Sequence, residues 1–545
     1  MKKTIKIALI LVAAIIVGFV AYSLGWRIYC EKTPFNRMET LKVRRAEQKE
    51  LLKQPARIDT LCLFDAKRGN ILDCNGNVLA TSVTAFDISY DPTVWQNDEE
   101  WETSVRQMSK GLAEIIGKKS AAEYYRYFSE GRIAGKKYLR IEEGVDSLTL
   151  DSLKELPFFN MKPAVGGIIL EKHEKRAYPY GSIARRTIGF VRYGAETYNN
   201  HIGIEGRFDN VLAISPGYEI VKSKWKKFPF SSARLTKKTL DRKEAVSGKD
   251  VQTTLDINLQ MKADTILRKS IECNEVISGA CLMLAEVKTG AIRTMVNLVR
   301  DRDEGFKEYY NVAIGRSYEP GALLWPAVEI ASMKCGEKKF SVEAFAGDRE
   351  QSFVDSLRNV ILGGQWNREE WDIAGLRRLE CASPSMSESW SRTLISSIGR
   401  GYCIQTPALD YLSLYLAIAR GGEGVRPHLV LSDSIEKYNL CTSEQAKSLT
   451  DELKQSTARN KAFRNTKEDV AGETGKSFTI QPNGHYTTDD GRKSVQSTFV
   501  GFFPADAPEY CALCMVYSMP LYRFNTGFEI PSIVVSNLVN SIYEQ

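Results

Sequence analysis

The chain opens on an apolar run. Ile7 to Trp26 (IALILVAAIIVGFVAYSLGW) carries no charge, and Lys2, Lys3 and Lys6 precede it. Twenty residues at about 1.5 Å each cover roughly 30 Å, the thickness of a hydrocarbon core. No small-residue cleavage signal follows, so the run reads as a single-pass anchor and not as a removed signal peptide. Basic residues lie on both sides, Arg27 and Lys32 after it. The short tail 1–6 is assigned to the cytoplasm, and the chain beyond residue 26 to the other side of the membrane.

Further along, the patterns alternate between strand and helix periods. Arg44 to Arg57 is charge-rich and reads as a solvated stalk. In Lys67 to Ser82, Asn75-Gly76 stands between flanks that contain apolar residues, which predicts a hairpin. Val105 to Phe128 and Leu148 to Leu156 have helical character, and Tyr178–Arg192 and Gly203–Leu212 suggest short packed elements. Lys222 to Lys243 holds nine basic residues and one acidic residue. It reads as a solvated ribbon between domains, with an anionic polymer or membrane as the alternative partner.

From Gly248 the texture changes. Val251–Leu255 is strand-like, and Ile257–Ile271 has helical spacing. Gly279–Val296 predicts two strands around the turn Lys288-Thr289-Gly290. Ala408–Ala419 is an apolar helix closed by Gly421-Gly422. Ser497–Phe503 and Tyr510–Met519 predict adjacent buried strands parted by Pro504 and Pro508, and Ile530–Tyr543 a terminal helix. Strands at both ends with helices between predict an α+β domain whose sheet joins distant parts of the chain.

Composition narrows the function. A chain of 545 residues calls for two or three domains, and 43% apolar with 26% charged residues is the balance of a folded protein. A net charge of +7 is mild at this length, and no nucleic-acid motif accompanies it. Eleven scattered cysteines make no disulfide framework, and an odd number leaves at least one thiol free. The four histidines (His173, His201, His428, His485) lie far apart, which argues against a metal site; no cofactor is expected either.

Several segments together resemble one family, the class B penicillin-binding proteins, membrane-anchored D,D-transpeptidases of bacterial wall synthesis. Arg68-Gly69-Asn70-Ile71 with Asp73, Asn75-Gly76 and Leu79-Ala80 is similar to the family's membrane-proximal motif. Gly203-Ile204-Glu205 resembles its Gly-Leu/Ile-Glu element, and Gly248-Lys249-Asp250 through Thr254-Leu255-Asp256 and Gln260 the start of its transpeptidase domain. Thr289-Gly290-Ala291-Ile292, Glu319-Pro320-Gly321, Thr406-Pro407, Pro427 and Phe499-Val500-Gly501-Phe502-Phe503-Pro504 follow in family order. The division-type branch is the nearest likeness. The resemblance implies a tail (1–6), an anchor (7–26), an elongated mixed pedestal (27–247) and a transpeptidase-like domain (248–545) with an antiparallel sheet covered by helices.

The catalytic positions depart from that pattern. In the family's Ser-x-x-Lys, i and i+3 share a helix face, so the amine can take the hydroxyl proton. Here the residues after Gly321 put Ala322 at the nucleophile position and Trp325 at the base position. Alanine has no attacking atom, and an indole N–H only donates. No asparagine has a serine two residues earlier; Ser356-Leu357-Arg358-Asn359 is off by one. The family's Lys-Thr-Gly, on an inner strand, is matched by Glu473-Thr474-Gly475. The lysine has become a carboxylate. At about 4 Å and an effective dielectric of about 20 each unit charge pair is worth roughly 4 kcal/mol, so an anionic substrate meets repulsion there.

Other matches are decoys. Lys288-Thr289-Gly290 precedes the nucleophile region, and Ser223-x-x-Lys226 and Ser434-x-x-Lys437 lie far from Glu319-Pro320-Gly321. Gly472 to Ser477 resembles a phosphate loop but has Val470 where glycine is required. Cys511 and Cys514 sit three apart in a strand, on opposite faces. Ser317 has Pro320, not lysine, at i+3. The leading expectation is therefore a pseudo-transpeptidase with no catalytic residues, a scaffold or regulator of a cell-wall polymerase complex. By resemblance its partners are a SEDS-type glycan polymerase or an active paralogous transpeptidase, met through 7–26, 68–82 and 178–212, with peptidoglycan as a further ligand. The rivals are an active D,D-transpeptidase or carboxypeptidase using other residues, and a wall-binding or β-lactam-sensing module.

Overall fold

The computed structural model describes residues 46–544 apart from 48, 51, 64–66, 96, 192–200, 216, 227–233, 364–367, 384–386, 433 and 523–528. The apolar run 7–26 lies outside the described residues. Among the described residues no helix is long and apolar enough to cross a membrane. Contacts divide the chain into two units, one of Met1–Lys67 with Ile214–Ser247 and one of Arg68–Ala213 with Gly248–Gln545. By contacts, residues 68–213 group with the C-terminal part, and 214–247 with the N-terminal part.

In the first unit, strands Arg57–Leu63, Gly217–Lys226 and Arg234–Lys243 form an antiparallel sheet. The basic segment Lys222–Lys243 is strand over 222–226 and 234–243, and its described lysines are exposed, so it is a solvated ribbon of paired strands. Backbone ladder bonds satisfy it, and Lys222 stands directly opposite Lys238.

The second unit begins with the expected hairpin, β1 (Ile71–Leu72) and β2 (Val78–Tyr90). Asp73 closes its turn by accepting the N–H groups of Asn75 (2.8 Å) and Asn77 (2.7 Å), and Gly76 takes φ +86°. Val105–Phe128 belongs to two helices, α1 (Asp98–Ile115) and α2 (Ala121–Ile133), not one. Gly117 at φ +71° breaks the run, and a Ser120–Glu123 capping box starts the second helix. Strands β3 (Leu139–Asp146) and β4 (Ile168–Ala177) flank β2. Trp101, Val105, Met108, Tyr124 and Phe128 fill a core of their own against this sheet.

The short α3 (Gly203–Arg207) leads on, and β4, α3 and the hairpin meet through charge. Glu205, 1% exposed, accepts Arg68 Nη2 at 2.7 Å and pairs with Arg176; Arg68 Nη1 also reaches Asp209 at 2.5 Å. Two of the motifs read separately in the sequence are therefore halves of one buried cluster. Beyond it, β5 (Val251–Gln252) runs parallel to β1, and Asp73 Oδ2 accepts the N–H of Ile257 at the start of α4 (Ile257–Ile271).

The main sheet uses β6 (Ile277–Glu286), β7 (Ile292–Asp301), β8 (Gly305–Lys307), β9 (Ala471–Thr479), β10 (Ser494–Phe503) and β11 (Tyr510–Ser518), in the order β8-β7-β6-β11-β10-β9, antiparallel throughout. Period-2 alternation sends Cys281, Met283 and Ala285 into one core, and Ala280, Leu282 and Leu284 into another. The terminal helix Ile530–Ile542 and α4 cover the second face, and the largely apolar helix Ala408–Ala419 lies within the first core. The expected α+β architecture, an antiparallel sheet covered by helices, is what the chain builds.

Candidate functional site

The site forms where the Glu319-Pro320-Gly321 loop meets strand β9. That strand is the edge of the sheet, not an inner strand as expected. Its free side packs on the 3-10 turn Gly321–Leu324, which runs into the helix Trp325–Lys334. Glycine is obligatory on both sides of this seam. A Cβ on Gly321 (φ +61°) would stand 2.3 Å from the Lys476 carbonyl oxygen, and one on Gly475 2.1 Å from that of Pro320.

Glu319 anchors the loop from below. It is 4% exposed; its Oε1 accepts the Cys403 backbone N–H (2.8 Å), its Oε2 the Tyr486 hydroxyl (2.6 Å), and its carbonyl the Ser477 hydroxyl (2.6 Å). Burial, and then the Glu319 carboxylate, push both the Tyr486 hydroxyl and the Cys403 thiol above their ordinary pKa values. Cys403 is thus a protonated thiol, not a thiolate nucleophile.

The degenerate positions come together here. Ala322 is exposed on the turn, with a methyl group where the family carries its attacking oxygen. The Trp325 Nε1–H donates to Glu473 Oε2 at 3.1 Å, and Glu473 Oε1 accepts the N–H of Thr474 at 2.9 Å. The residues at the base and lysine positions therefore satisfy one another. The Thr474 hydroxyl lies 3.3 Å from that of Ser532, and the buried Tyr415 hydroxyl donates to the Leu323 carbonyl at 3.2 Å. The Trp325–Glu473 bond, and the parts played by Cys403, Tyr415 and Tyr486, were not legible in the sequence. Tyr486 sits in a polar, aperiodic loop that offered no signal.

The decoys disperse. Ser356 lies within the helix Glu350–Leu362 and donates to the Ala331 carbonyl at 3.3 Å, in the earlier helix Trp325–Lys334. The Ser317 hydroxyl donates to the Arg378 carbonyl at 3.4 Å. Ser223 is buried while Lys226 is exposed, as i and i+3 in a strand must be. Lys288-Thr289-Gly290 is the β6–β7 turn, with Gly290 at φ +79°. Gly472–Ser477 is extended strand, not the loop into a helix that a phosphate loop requires. Cys511 and Cys514 enter opposite cores, and burial pushes both thiols up. Among the described residues no group of acidic, histidine and cysteine side chains could hold a metal.

Comparison with known proteins agrees with this fold. Residues 64–253 match the penicillin-binding protein dimerisation domain, and residues 379–528 the penicillin-binding protein transpeptidase domain. The peptidoglycan D,D-transpeptidase FtsI of Buchnera aphidicola from Schizaphis graminum is 25% identical over 279 residues, 50% of this chain and 44% of that protein. The probable peptidoglycan D,D-transpeptidase PenA of Neisseria gonorrhoeae is 24% identical over 277 residues, again 50% and 44%. The chain spans less than half the length of these two relatives. A second FtsI, of Buchnera aphidicola from Baizongia pistaciae, is 24% identical over 87% of this chain and 86% of its own. In fold, the chain is similar to a peptidoglycan synthetase from Bifidobacterium adolescentis (TM-score 0.59, 16% identity, 89% of this chain and 96% of that one). Penicillin Binding Protein 2X from Streptococcus thermophilus gives 0.56 at 18% identity, over 89% of this chain and 79% of that one. With both family domains matched in order on a fold of that kind, the chain belongs to the class B penicillin-binding proteins.

Proposed function

We propose that this penicillin-binding protein is a pseudo-transpeptidase of peptidoglycan synthesis, a division-type scaffold or regulator that has lost acyl transfer. The observation that carries the reading is the 3.1 Å bond from Trp325 Nε1–H to Glu473 Oε2, beside the methyl group of Ala322. A serine acyl transferase needs an attacking oxygen, a proton acceptor one turn on and a cation for the substrate carboxylate. The three matching positions here hold a methyl group, a donor-only indole and an anion.

The chain is anchored by 7–26, with its bulk on the extracytoplasmic side. It acts by contact, with a SEDS-type glycan polymerase or an active paralogous transpeptidase. The buried Arg68–Glu205–Arg176 cluster supports this, because it preserves the membrane-proximal part of the fold after the chemistry has gone.

The test is to incubate the full chain in detergent with a fluorescent penicillin, beside a labelled control transpeptidase, and read gel and intact mass. No adduct is expected. A stoichiometric adduct would sink the reading in favour of an active transpeptidase or carboxypeptidase, and the modified peptide would identify its nucleophile. Co-purification with a polymerase or a paralogue tests the scaffold role, and neither partner being retained would overturn it.

A further inference from the structure

Away from the old cleft, two cavities of about 270 Å³ and 430 Å³ adjoin in the second unit and share Tyr310 and Gly315 as wall. Arg186 lines the first; Arg316 and Arg377 line the second. Among the described residues none of these three guanidinium groups has a carboxylate partner. Arg316 is held over the Tyr517 ring at 4.0 Å, and Arg377 Nε donates to the Gly315 carbonyl at 3.3 Å. Each guanidinium carries five N–H donors, so these contacts leave both forks with donors to spare. Arg186 is half-buried, and burial pushes its pKa down, the mark of a cation short of a counter-charge.

The walls repeat the message. Asn311, 7% exposed, leaves Oδ1 without a partner on the first cavity, and Thr479 leaves Oγ1 without one on the second. The opposing charge on the second cavity is the exposed Glu380. In the first, His201 is already 3.5 Å from Asp209. The second cavity sets two cations against one carboxylate, and Arg186 faces the adjoining first cavity; an anion entering there meets net positive charge, and the planar arginine fork matches a carboxylate's two oxygens.

We propose that this groove binds an anionic peptide carrying two or more carboxylates, the chemistry of a wall stem peptide. The choice of peptide rests on the peptidoglycan reading above; the anion site does not. Arg316 leads through Ser317 and Tyr318 into Glu319-Pro320-Gly321, and Thr479 ends the strand that carries Glu473. A ligand held here therefore touches both chain segments that frame the inactive cleft.

The experiment is calorimetric titration of the full chain with a soluble muropeptide bearing free carboxylates, its amidated counterpart and inorganic phosphate. Saturable binding of the free acid is expected, weaker by about tenfold for the amidated form and for each of Arg186→Gln and Arg377→Gln. Glu380→Gln, which removes the repelling charge, should bind about threefold tighter, a gain that misfolding cannot mimic. No saturable binding would overturn the proposal. So would equal binding of acid and amide, or unchanged affinity in arginine variants that melt like the parent. Phosphate binding as tightly as the muropeptide, and displacing it, would overturn the peptide assignment. A penicillin adduct reads Ala322 and its cleft, so the two readings fail separately.

Discussion

A substitution can be read as loss of chemistry or as gain of a contact, and at this site it is both. Trp325 and Glu473 replace a proton acceptor and a cation, and they also form a donor–acceptor pair across two elements. A hydrogen bond to a charged acceptor is worth about 1.5–3 kcal/mol, less here because both side chains are only half-buried. Trp325→Phe should therefore lower unfolding stability by about 1–2 kcal/mol. In a double-mutant cycle with Glu473→Gln, urea unfolding should give a coupling of about 1 kcal/mol. Additive effects would show that the bond is incidental.

At the scale of elements, two motif glycines stand where backbones meet. Gly475 survives in Glu473-Thr474-Gly475 although the lysine does not, because strand β9 lies against the Gly321–Leu324 turn with no room for a methyl group. Gly475→Ala should cost about 1–3 kcal/mol through this overpacking and shift the urea midpoint accordingly. A silent substitution would mean that the seam is loose. The same rule accounts for Gly321, at φ +61° and wedged against Lys476.

For the whole molecule, the division of contacts follows the buried charges more closely than the chain order. Arg68, Arg176, Glu205 and Asp209 tie the hairpin, β4 and α3 together, and Asp73 reaches on to α4. Removing one partner of a buried ionic cluster strands the others. Glu205→Ala should cost about 3 kcal/mol and open residues 68–213 to protease. Stability within about 0.5 kcal/mol of the parent would mean that the cluster is decorative, with water replacing the carboxylate.

Much of this protein was legible in one dimension. Local signals placed the helices Ile257–Ile271 and Ala408–Ala419 to the residue, since apolar period and terminal turns act within a few positions. The hairpin at Asn75-Gly76 and the opposed faces of Cys511 and Cys514 follow from turn and strand geometry alone. Motif order exposed Ala322, Trp325 and Glu473 as departures, because absence of a reactive atom is a property of composition. What the sequence left open depends on distance in space. It did not show that Glu473 sits on an edge strand, that Trp325 bonds to it across 148 residues, or that Arg68 and Glu205 neutralise each other across 137. Nor did it show that Arg186, Arg316 and Arg377, none with a carboxylate partner among the described residues, line two cavities that share Tyr310. Long-range pairing is decided by which surfaces the fold brings within about 3 Å, and only the packed chain selects among the many pairs that composition allows.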